Sequence, residues 1–163
     1  MSARDLFTET EWNSVIQSPM LAGVAVTAAD PGGLWAAVKE GSAMARSLVE
    51  AKRSAATESL LKEIGVAFDS PDNRSIAQNG AMELLRGKKP AEAADAAVAR
   101  VGEIAALVVA KAPAEAAAYK EYLLATAKSV ADAAKEGGFL GFGGVKVSEA
   151  EKKTLDDLSR VLS

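Results

Sequence analysis

Between residues 91 and 112 the positions Ala94, Val98, Val101, Ala105, Val108 and Ala112 follow an unbroken four-three alternation. That spacing puts all six on one stripe of an α-helix; a strand, whose side chains repeat every second residue, cannot bury them together. A second stripe follows at once. Pro113 stops the first helix, and Tyr119, Leu123, Val130 and Ala134, widened by Leu124 and Ala127, line a face of the next as far as Gly137. Two long helices joined at a proline turn predict an antiparallel hairpin over 91–112 and 114–136. Alanine is the commonest residue and aromatic side chains make up only 5% of the chain, so the apolar surface consists mostly of small groups on strong helix formers. The expected fold is all-α. At 163 residues it is read as a single domain, 1–163, a bundle of about six to seven helices with a Gly/Phe-rich loop before the last.

The first helix is announced by Phe7-Thr8-Glu9-Thr10-Glu11-Trp12. Thr8 as N-cap with Glu11 three residues on is a capping box, and Phe7 and Trp12 take the two positions of a hydrophobic staple. Trp12, Val15 and Ile16 share a face, after which Ser18-Pro19 is expected to end or bend the helix and to start another. That next stretch, 19–29, is apolar on nearly every side and is expected at the centre of the domain. It is too short to cross a bilayer, which takes about 20 apolar residues. Residues 1–11 set Arg4 against Asp5, Glu9 and Glu11, unlike the basic leader of a secretory signal, so a cytoplasmic location is expected.

Asp30-Pro31-Gly32-Gly33 provides an N-cap and first turn for a helix whose seam runs through Leu34, Val38, Gly41, Ala45 and Leu48. The phase is lost across Lys52, Arg53 and Ser54, and Leu60, Leu61, Ile64, Ala67 and Phe68 set up a new face, which predicts a break or kink near residues 53–57. Ser70-Pro71 then caps and starts a helix with Ile76, Met82, Leu84 and Leu85 as its apolar face, interrupted at Asn79-Gly80 and ended by Gly87. Ser148-Glu149-Ala150-Glu151 is a second capping box, opening a last helix with Leu155, Leu158 and Leu162 on its buried side.

Between the long helices and that box lies residues 136–151, where glycine steps alternate with Phe139, Leu140 and Phe142. Either these side chains fold back to plug the end of the bundle, or they form an apolar tip that meets a partner, a lipid or a second copy. They are the candidate interaction loop. The glycines do not make a P-loop, because they follow a helix and lack the Gly-Lys-Ser/Thr ending.

The chain has neither cysteine nor histidine. Thiol nucleophiles, disulfides, Cys- or His-ligated metals and the usual neutral-pH general base are thereby excluded. With 19 basic against 22 acidic residues there is no broad cationic face for a phosphate backbone, so no nucleic-acid partner is expected. Glu92, Asp95, Arg100 and Glu103 lie mostly off the 91–112 seam and read as a solvated face. No catalytic constellation and no cofactor are read from the sequence, and the expected partner is a protein or a second copy of the chain.

Lys111 to Ala116, Tyr119-Lys120 and the 136–151 segment resemble the C-terminal part of a set of small bacterial all-helical proteins ending in EGGFLGFGG-x-x-VS-x-x-E, and residues 20–33 are similar to their N-terminal half. The resemblance implies a bacterial stress or envelope setting and no activity. More distantly, the order helix, acidic or glycine turn, Ser-x-x-Glu, helix is similar to the tellurite-resistance TerB-like family. That resemblance implies a carboxylate metal site, onto which Asp30, Glu136 and Glu151 would map. The expected function is thus a non-enzymatic helical module for protein interaction or self-association, with a metal-binding TerB-like domain or a membrane-surface or ligand-binding module as the alternatives.

Overall fold

The structure, a computed structural model, describes residues 2–29, 47–49, 53, 59–136 and 148–163, with backbone alone at 134–136. Among these residues there is no strand, and seven helical elements are bounded, a 3-10 turn (Ala3–Leu6), α1 (Glu9–Ala29), α2 (Leu60–Ala67), α3 (Pro71–Leu85), α4 (Pro90–Lys111), α5 (Ala116–Glu136) and α6 (Glu149–Val161), with residues 47–49 also helical. The fold is all-α, as expected. The helix expected after Asp30 with its seam of Leu34, Val38, Gly41 and Ala45 lies outside the described residues, as does the 137–147 segment with Phe139, Leu140 and Phe142. Arg53 is helical, whereas the rest of the expected break, 54–57, also lies outside them.

The chain is arranged around α1, which packs against α3, α4, α5 and α6. Its start is the one the sequence predicts. Thr8 N–H donates to Glu11 Oε2 at 2.8 Å, Glu11 N–H donates to Thr8 Oγ1 at 3.3 Å, and the Phe7 and Trp12 rings lie 6.4 Å apart. Its middle differs from the expectation. One helix runs unbroken through Pro19 to Ala29. A proline there withholds the N–H that would bond the carbonyl four residues back, that of Val15. Ser18 supplies the missing donor: its hydroxyl donates to Val15 O at 2.7 Å and in turn accepts from the Tyr119 hydroxyl of α5 at 2.6 Å. Ser18 and Tyr119 are both wholly buried, so the relay satisfies groups that water cannot reach. Burial pushes the Tyr119 phenol far above its ordinary range, which keeps it protonated and donating.

Ala94, Val98, Val101, Ala105, Val108 and Ala112 are all buried, as are Tyr119, Leu123, Ala127 and Val130. The expected direct pairing of the two long helices is weaker than read from the sequence, because each packs mainly on α1. Both stripes thus face the same helix. On α3 the expected apolar face is displaced: Ala77 and Ala81 are buried, Ile76, Leu84 and Leu85 are half-buried, and Met82 is 68% exposed. Gly80 does not interrupt this helix. The end of the Gln17 side chain of α1 lies over this glycine, where a Cβ would have to displace it. Gly87 has φ +72° and ends the helix as expected. The second capping box also forms, with Ser148 N–H donating to Glu151 Oε2 at 2.7 Å and Glu151 N–H to Ser148 Oγ at 3.1 Å. Leu158 and Leu162 are buried behind it.

Glu11 joins the two ends of the fold's main contact. The carboxylate oxygen that caps α1 also accepts from Lys111 Nζ at 2.7 Å, at the last residue of α4. The Lys111 ammonium, then the Thr8 amide, hold the Glu11 carboxyl down to about 2 from its ordinary 4.5. A carboxyl whose folded pKa is depressed stabilises the fold above its unfolded value, and the contribution is lost as pH falls through the folded one. Thermal melts between pH 5 and pH 2 should therefore show a steeper loss for wild type than for Glu11→Gln, with the two converging at the acid end. Parallel curves over that window would remove Glu11 from the acid response.

Candidate functional site

The N-terminal turn, α1, α2 and the start of α3 enclose a groove of about 340 Å³ lined by Ser2, Arg4, Trp12, Lys62, Glu63, Val66, Ala67 and Asn73. Each wall is fixed by hydrogen bonds. The 3-10 turn is closed by Ser2 N–H donating to Asp5 Oδ2 at 3.1 Å and tied to α2 by Arg4 N–H donating to Glu63 Oε2 at 2.6 Å. Ser59 caps α2, its hydroxyl accepting from Lys62 N–H at 3.3 Å, and Glu115 Oε2 takes the Leu60 N–H at 3.2 Å. At the other end of α2 the first turn of α3 reaches back. Asn73 Nδ2 donates to Ala67 O at 3.0 Å and Arg74 donates to Phe68 O at 2.7 Å, occupying carbonyls that a helix end leaves open.

The floor is apolar: the Trp12 indole, almost wholly buried, with Ala67 and a half-exposed Val66. The Arg4 guanidinium carbon stands 5.8 Å from the centre of the Trp12 ring, a cation–π distance. Arg4 and Lys62 share the lining with one carboxylate, Glu63, which accepts from the Arg4 amide. Among the described residues neither cationic head is in an ion pair. A second hollow, of about 240 Å³ beside Glu11, Ser14 and Arg100, is different in kind. There Arg100 is already bound to Glu103 at 2.8 Å and to Ser14 Oγ at 3.0 Å.

Of the residues singled out from the sequence, Phe139, Leu140 and Phe142 lie outside the described residues, as do Asp30 and the Glu136 side chain. Glu151 is buried and spends its carboxylate on the α6 cap. No group of three or more acidic residues that could hold a metal ion occurs among the described residues. The solvated reading of the α4 face fits what is seen: Glu92 accepts from Lys89 N–H at 3.0 Å, and Asp95 and Glu103 are exposed and face lysine or arginine. Sequence reasoning missed the groove. Its one sequence signal was the Phe7/Trp12 staple, which fixes where the chain before α1 must return. No helix among the described residues is long and apolar enough to cross a membrane.

The fold and site together define an all-helical scaffold with a small, cation-rimmed apolar groove. Compared with family models, with curated proteins and with solved structures, the chain matches none, so neither resemblance noted from its sequence gains support there.

Proposed function

We propose that this chain is a non-enzymatic module that works by binding, with the groove between the N-terminal turn and α2 as its recognition site. The observation behind this reading is the coincidence, in one concavity, of accessible apolar surface at Val66 with two cations that have no ion-pair partner among the described residues. Buried hydroxyls and carboxylates elsewhere hold helices together: Ser18 and Tyr119 repair α1, and Glu151 caps α6. A mixed library of anionic, neutral and cationic fragments, followed by amide and indole chemical shifts, tests the site without assuming its ligand. Shifts should gather at Ser2, Arg4, Lys62, Glu63, Asn73 and the Trp12 indole. Hits scattered over the surface, or gathered elsewhere, would refute the groove.

The proposal extends to self-association through Phe139, Leu140 and Phe142, which rests on the sequence of that segment. Sizing of wild type beside Phe142→Ala tests it, and an unchanged elution at matched concentration would count against this contact.

A further inference from the structure

We infer that the groove's ligand is a small carboxylate with an apolar body, such as an arylacetate or a medium-chain fatty acid, held with its charge between Arg4 and Lys62 and its body against Trp12 and Val66. The inference rests on the binding role proposed for this groove and adds the chemical class. Size comes first. About 340 Å³ sits near the lower end of the ~300–1,000 Å³ range of small-molecule sites, which admits a short chain or a single ring but not a helix. Charge comes second. The rim sets two cations against one carboxylate, and Glu63 already accepts the Arg4 amide at 2.6 Å, so an entering anion meets a net positive rim. A cationic ligand would meet that same excess as repulsion. Arginine adds shape to charge, since its planar fork matches the two oxygens of a carboxylate, while Lys62 contributes a mobile point charge. The floor completes the selection. A flat or aliphatic body can cover the exposed part of Val66 over a floor that includes Trp12, whereas inorganic phosphate would leave that surface wet.

Phenylacetate and octanoate, with 2-phenylethanol and 1-octanol as neutral counterparts, are the probes. Each would be titrated into the full chain while the Trp12 indole N–H resonance, assigned with Trp12→Phe, is followed. Saturable shifts are expected for the acids and much weaker ones for the alcohols. Arg4→Gln and Lys62→Gln should each weaken acid binding about fivefold, the upper range for a partly exposed ion pair. Arg4 is exposed and Lys62 half-buried, and retained amide dispersion would show that the variants fold. Equal binding of acid and alcohol, or affinity unmoved by both substitutions, would overturn the carboxylate assignment. Should fragments still gather in the groove while the acids do not, the ligand class fails and the binding role stands; if nothing binds there, both fail.

Discussion

Val108→Asp is expected to destabilise the fold by about 4 kcal/mol or more, while Val109→Asp, one residue further along the same helix, stays within about 1 kcal/mol. Val108 is fully buried and Val109 is 42% exposed, so the pair samples the buried and the solvent side of α4. The buried substitution gives up roughly 1.5–3 kcal/mol of apolar transfer and also strips water from a carboxylate that finds no partner on the seam. Both positions lie in the last turn, so the unfavourable meeting of an acid with the helix C-terminus is common to the two and cancels in the comparison. Against a total stability of about 5–15 kcal/mol for a natural domain, the first loss brings the chain near to unfolding. Acidification should narrow the gap. A buried aspartate has its folded pKa raised, so its penalty is full above that value and shrinks as pH falls toward the unfolded one. Denaturant melts of the two variants at neutral and mildly acidic pH check both statements, and similar midpoints for Val108→Asp and Val109→Asp would refute the stripe.

The stripes and caps were legible in the sequence because they are short-range. The alternation from Ala94 to Ala112 and the boxes at Thr8 and Ser148 need only residues within a few turns of one another, and the structure forms all three. What failed depends on partners far along the chain. Met82 looked like a core residue because large apolar side chains usually are. Yet α3 packs against α1 with the small Ala77 and Ala81 buried, and Met82 is left off that face. Pro19 looked like a helix boundary for a similar reason. Its local effect is to break a helix; the replacement donor is its neighbour Ser18, whose hydroxyl is held in turn by Tyr119, a hundred residues downstream. The groove escaped notice on the same grounds, since Arg4, Trp12, Lys62 and Asn73 stand on separate elements and form no motif.

The repair at Pro19 gives the second large effect. Ser18→Ala should cost about 3 kcal/mol, because one deletion orphans two buried groups, the Val15 carbonyl and the Tyr119 hydroxyl, at roughly 1–3 kcal/mol each. The explanation makes a sharper demand in a second background. Pro19→Ala restores a backbone N–H at the position that should bond Val15 O, so the serine is no longer the sole donor available to that carbonyl. Ser18→Ala should then cost at least about 1 kcal/mol less than it does beside proline, a coupling within the range measured for contacting residues. Removing the other orphan should help as well: adding Tyr119→Phe to Ser18→Ala takes away a buried hydroxyl that has lost its acceptor, and the double variant should be no less stable than Ser18→Ala alone. Equal costs of Ser18→Ala in the proline and alanine backgrounds would mean that the hydroxyl serves Tyr119 alone, and that α1 tolerates Pro19 for some reason other than the serine.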